Sequence, residues 1–154
     1  MKTQTRTIKS ESDAKNLIAY IGNIETYPYM VKVSPGDEKR SDKQNRLSFQ
    51  WYKDAGEQGD QTEHECRAMC KLHFGCKILY QEDEYFREKY DQVLRPMTYE
   101  QKLAVMLPPF DLSVTSIMTV KQKTKYLDMI WEHYRGLGYI LTDPSLLGLE
   151  DWRA

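Results

Sequence analysis

A chain of 154 residues, 40% apolar and 29% charged, is long enough to close one hydrophobic core and predicts a single soluble domain. Its 22 basic and 23 acidic side chains leave a net charge of −1, which excludes global attraction to a polyanion; any nucleic-acid binding must rest on a local patch. Cys66, Cys70 and Cys76 cannot make an even disulfide framework, and Lys2, Arg6 and Lys9 precede no apolar run, so the expectation is an unprocessed cytosolic protein with reduced thiols and no membrane segment.

Residues 4–8 alternate weakly between polar and apolar and predict an edge strand. Ser12 is a candidate N-cap for a helix through Ile21 that ends at Gly22. After the Tyr27-Pro28 turn, Tyr29-Met30-Val31-Lys32-Val33 reads as a second strand, closed by Ser34-Pro35-Gly36. A β-α-β arrangement follows for residues 1–36, with a right-handed crossover if the strands are parallel neighbours. Four capping boxes then mark helix starts, each a Ser or Thr followed at the third position by Glu or Gln: Ser41 with Gln44, Thr62 with Glu65, Thr98 with Gln101, and Thr119 with Gln122. They place helices at about 42–55, 63–74, 99–106 and 120–135, with a further helical stretch around 82–94. Gly56, Gly59, Gly136 and Gly138 terminate helices, and Pro108-Pro109 predicts an extended connection. The expected class is α+β: a small N-terminal β-α-β sheet, a mainly helical part over 41–139, and a tail at 140–154, in one domain.

The helix from Ser41 carries the most informative pattern. At about 100° per residue, Leu47, Trp51, Tyr52 and Ala55 form a core face. Phe49 lies off that face, on the arc of Asn45, Arg46 and Lys53. An aromatic ring among a guanidinium, an ammonium and an amide is what a single-strand binder requires, since any base can stack and Arg or Lys neutralises phosphate. Arg40 and Lys43 add charge at the helix start. The competing reading is a solvated face whose Phe49 packs on a second element or a partner chain. In the helix from Val120, Leu127, Trp131 and Tyr134 continue an apolar stripe for core or dimer interface, and Lys121, Lys123 and Lys125 make its first turn basic. A second phosphate contact at Lys121 and Lys125 is therefore a candidate.

His64, Cys66, Cys70, His73 and Cys76 lie close in sequence, but paired CxxC knuckles are absent and no metal is expected. No phosphate-binding loop, dinucleotide fingerprint or oxyanion-type loop occurs, and the acidic run Glu82-Asp83-Glu84 suits a helix start. No catalytic residue and no cofactor are assigned. The tail, with Leu146, Leu147, Leu149 and Trp152, either packs on the body or docks on a partner.

Arg40-Ser41, two intervening residues, Gln44-Asn45-Arg46 and an aromatic three positions later resemble the corresponding segment of the NinB/Orf family of lambdoid phage recombination proteins. The helix start at Ser12-Asp13, the apolar strand 30–33 and Thr115-Ser116-Ile117-Met118-Thr119-Val120 before a long helix occur in a similar order. The resemblance runs from Ile8 to about Tyr139 and leaves 82–110 without a counterpart. It implies one NinB-like domain over 1–154: a homodimeric, non-catalytic α+β protein of the bacterial host cytoplasm that binds single-stranded DNA. It also implies assistance in loading a recombinase, in partnership with the host single-strand-binding protein. Arg40, Ser41, Gln44, Asn45 and Arg46 match the motif, and Phe49 stands where a family member has Trp. The implied roles are phosphate contact for Arg40 and Arg46, hydrogen bonding for Gln44 and Asn45, and stacking for Phe49. The alternatives are an adaptor acting on a host replication or recombination factor, and a metal-dependent structure-specific nuclease.

Overall fold

Thr62, Thr98 and Thr119 each accept a hydrogen bond from the backbone N–H three residues on, and each starts a helix as its sequence signal predicts. At Thr98 and Thr119 the box is complete, with the Gln101 and Gln122 side chains bonded back to the cap backbone. The computed structural model describes residues 2–36 and 39–153. Among them the helices are α1 (Glu11–Gly22), α2 (Arg40–Gln58), α3 (Glu63–Cys70), α4 (Cys76–Glu82), α5 (Glu84–Lys89), α6 (Tyr99–Val105) and α7 (Val120–Gly136). Two π-helical turns, Lys71–Gly75 and Tyr90–Leu94, run directly out of α3 and α5. No helix among the described residues is long and apolar enough to cross a membrane.

The chain divides into two compact units, residues 1–38 and 39–154. In the first, Ser10 rather than Ser12 caps α1, accepting from the Asp13 N–H at 3.2 Å, and the Arg6 guanidinium lies 4.0 Å from the centre of the Tyr20 ring. The expected β-α-β sheet is not formed: residues 4–8 and 29–33 are not strands, no strand occurs among the described residues, and the fold is all-α rather than α+β. Met30 and Val33 are 93% and 90% exposed. β-branched content favours a strand only where a pleated, half-buried surface exists to receive it, and here the apolar run has no second ladder to pair with.

In the second unit, α2 packs against α3 and α7. Leu47, Trp51, Tyr52 and Ala55 from α2 meet Cys66 and Cys70 from α3 and Tyr126, Leu127, Ile130 and Tyr134 from α7, all buried. Gly56 permits the tight turn between α2 and α3, because a Cβ there would sit 2.6 Å from the Glu63 backbone nitrogen. Gly75 likewise lets the first π turn close on Val114, whose Cγ1 a Cβ would meet at 2.6 Å. The expected extended connection at Pro108-Pro109 is instead a turn, with the Asp111 N–H donating to the Leu107 carbonyl. The Lys71 ammonium, buried in the π turn, fastens it by donating to the Met106 carbonyl at 2.6 Å and to Asp111 at 2.9 Å.

The Lys71 ammonium, with Arg67 beside it, holds the Asp111 carboxyl below the ordinary carboxylate range. A group lowered in this way contributes stability that is complete above its unfolded value near 3.8 and is lost as pH falls through the folded value. Asp111 has φ 43°, a left-handed conformation that asparagine also tolerates. Asp111→Asn is therefore expected to lower stability at neutral pH by about 1 kcal/mol, a modest figure because the carboxylate is solvent-screened. Urea unfolding at a series of pH values checks this: below about pH 4 the wild-type protein should lose more stability than the variant, and parallel acid limbs would contradict it.

Candidate nucleic-acid interface

Helix α2 turns Gln44, Leu47, Ser48, Trp51, Tyr52, Asp54 and Ala55 inward. The remaining arc presents Asn45, Arg46, Phe49 and Lys53 to solvent, as the 3.6-residue repeat predicts. Phe49 keeps 42% of its surface exposed, while one edge rests on Tyr52 with ring centroids 5.7 Å apart. The Arg67 guanidinium of α3 lies 5.3 Å from the Phe49 centroid and is ion-paired to Asp111 at 2.8 Å. Sequence reasoning missed Arg67, because only the packing of α3 on α2 brings it to this ring. The face therefore joins an open aromatic edge to the cations of Arg46, Lys53 and Arg67.

The first turns of α2 face a different task. Helix α2 begins at Arg40 with Lys39 at the cap and no side-chain capping bond, so Ser41 and Gln44 form no capping box and Ser41 is half-buried. Gln44 turns inward instead, where its amide donates to Thr124 Oγ1 at 2.9 Å and the Trp152 carbonyl at 3.2 Å. The Arg40 guanidinium donates to the carbonyls of Trp152 at 3.1 Å and Arg153 at 2.7 Å, and to Thr124 Oγ1. Lys43 pairs with Asp151 at 2.8 Å. Arg40, Lys43 and Gln44 thus hold the C-terminal segment, with Trp152 buried behind it.

The start of α7 lies beside that of α2, since Thr124 serves both Arg40 and Gln44. Lys121 is exposed. Lys125 pairs with Glu82 at 2.8 Å, and that hydrogen bond, helped by Lys121, draws the Glu82 carboxyl below its ordinary value. Glu82, which its place in the acidic run marks only as a helix-start charge, partly neutralises the basic turn of α7. Cys66, Cys70 and His73 do not converge: both thiols are buried, whereas His73 is exposed and bonded to the Tyr99 hydroxyl at 2.7 Å. Burial pushes the Cys70 and Cys76 thiols up to about 12, so both are neutral at physiological pH and poor nucleophiles. No group of three His, Cys, Asp or Glu among the described residues is placed to hold a metal ion. Comparison with protein-family models, curated proteins and solved structures finds no match for this chain.

Arg40→Ala removes the donors to Trp152, Arg153 and Thr124 together. The expected loss is about 1.5–3 kcal/mol, the range for hydrogen bonds from a charged group. It should appear as a lower urea midpoint and faster proteolysis in the last dozen residues. An unchanged midpoint would mean that the guanidinium does not hold the tail.

Proposed function

We propose that this protein binds single-stranded DNA without catalysis, through the outer face of α2, as a recombination mediator of the NinB/Orf kind in a bacterial cytoplasm. The observation that carries the reading is Phe49: a large ring 42% exposed, on one arc with Asn45, Arg46 and Lys53 and with the Arg67 guanidinium at its face. Stacking tolerates any base, and the surrounding cations supply the phosphate contacts that a net charge of −1 cannot supply globally. Lys121 extends the positive surface at the adjacent helix start. Arg40, Lys43 and Gln44 act in this reading by fixing the helix against the tail. A homodimer would present two such faces to one strand, and the recombinase and the host single-strand-binding protein remain its proposed partners.

A protein-docking reading, the adaptor, is favoured by the apolar surface of Leu137, Ile140 and Leu146, which are 61%, 80% and 79% exposed. Salt dependence separates the two, because phosphate contacts weaken steeply with added salt and apolar contacts do not.

Fluorescence anisotropy with a labelled oligo(dT) at two salt concentrations, magnesium present, tests the proposal. Phe49→Ala should cost on the order of 1–3 kcal/mol of binding if one base stacks there. Arg46→Glu with Lys53→Glu should weaken binding further and flatten the slope of log affinity against log salt by roughly one to two units. Wild-type affinity in both folded variants would remove the α2 face from consideration, and magnesium-dependent shortening of the oligonucleotide would identify a nuclease instead.

A further inference from the structure

The two π turns lead into the walls of a cleft of about 370 Å³, within the size range of small-ligand sites. It is lined by three tyrosines, Tyr80, Tyr90 and Tyr99, and three cations, Lys77, Arg95 and Lys102, with no carboxylate among the lining residues. A helical turn carrying one extra residue is rare and concentrates at functional sites, and here His73 and Tyr90 come from two such turns into one cleft.

The cations are arranged over the rings. The Arg95 guanidinium lies 5.6 Å from the Tyr80 centroid and 5.7 Å from that of Tyr90, and the Lys102 ammonium lies 5.9 Å from Tyr90. Asp91, just outside the lining, is already paired with Arg95 at 2.7 Å and accepts from the Tyr80 hydroxyl, which fixes both side chains. Lys77 and Lys102 make no ion pair among the described residues, so two ammonium groups stay available to an anion. Tyr99 lines the cleft and is 49% exposed, with its hydroxyl bonded to His73 at 2.7 Å and its ring 5.6 Å from the His73 ring. An aromatic face beside two unpaired cations matches a planar heterocycle that carries a phosphate: the ring gains from stacking and the phosphate from the charge. A simple anion would leave the tyrosines without a role, and a neutral aromatic would leave the lysines without one. Cys76 also lines the cleft, and burial pushes its thiol up to about 12, which makes it a poor nucleophile at neutral pH.

We propose that this cleft is a second binding site of the protein and takes one nucleotide unit, its base against Tyr99 and its phosphate at Lys77 and Lys102. That unit is either a free mononucleotide or one link of a single strand. The site shares no residue with the α2 face and does not rest on the function assigned to it.

The test uses the full chain and two probes, dTMP by isothermal titration calorimetry and labelled oligo(dT) by anisotropy. Two variants, Lys77→Glu with Lys102→Glu and Tyr99→Ala, should each weaken binding roughly tenfold or more, and Tyr99→Phe, which keeps the ring, should restore most of it. The charge reversals leave Tyr99 and the buried core residues unchanged, so they keep the test intact if Tyr99→Ala fails to fold. A free nucleotide is the source if dTMP binds and oligo(dT) does not compete. A strand is the source if oligo(dT) competes, or if it still binds when Phe49→Ala, Arg46→Glu and Lys53→Glu are combined and loses that residual binding with the cleft variants. Oligonucleotide binding lost only through the α2 substitutions, together with dTMP binding that the cleft variants leave unchanged, would leave the α2 face standing and refute the cleft. Folded cleft variants that bind both probes like the wild-type protein, a wild-type protein that binds neither, or inorganic phosphate binding as tightly as dTMP would each overturn the proposal.

Discussion

Trp51 is the contact on which the second unit turns. Its indole is 1% exposed, lies 5.3 Å from the Trp131 ring of α7 and 6.2 Å from that of Trp152 in the tail, and donates through Nε1 to the Thr142 carbonyl at 2.9 Å. One side chain of α2 thereby joins the longest helices and both ends of the C-terminal segment. Its neighbours extend the grip: Asp54 accepts from the Thr142 N–H and Gln58 pairs with both backbone groups of Ile140, while Arg40 and Gln44 hold the chain ten residues later. With α2 bound along its whole inner side, its rotation is fixed, and the outward direction of Asn45, Arg46, Phe49 and Lys53 follows from that fixation.

The same grip changes how the motif is understood. Arg40 and Gln44, two residues on which the family resemblance rests, spend their hydrogen bonds on main-chain carbonyls of residues 152 and 153 and on Thr124. A guanidinium and an amide are apt for this, because an irregular segment that turns over a helix has carbonyls with no ladder to join, and buried carbonyls left unpaired are costly. Recognition by residue type and spacing thus selects residues of both kinds, those that hold the helix and those that it displays.

What could be read in the sequence follows the range of the forces involved. The starts at Thr98 and Thr119 were legible because a capping box closes within four residues, and the placement of Phe49 was legible because helical periodicity is local. Ser41 and Gln44 carry the same letters but fail as a box, since partners more than seventy residues away compete for the Gln44 amide. The apolar runs at 4–8 and 29–33 have strand composition, but strand formation depends on a pairing surface that composition does not encode. Arg67 beside Phe49 and the cluster of tyrosines and lysines between residues 72 and 102 were hidden because tertiary packing brings them together from separate helices, and for residues 82–110 the resemblance offers no counterpart either.

The π turn at Lys71–Gly75 has one more consequence. Because it carries one residue more than an α turn, it acts as a phase shifter between α3 and α4, rotating everything after it by about 100° relative to an uninterrupted helix. In that phase Ile78 and Leu79 are buried and Lys77 is exposed. Loss of a single residue here would restore a regular helix and turn Ile78 and Leu79 away from the core. Chain length in this stretch is therefore as constrained as side-chain identity in a core, although the segment contains no loop, charge cluster or invariant-looking motif to announce it.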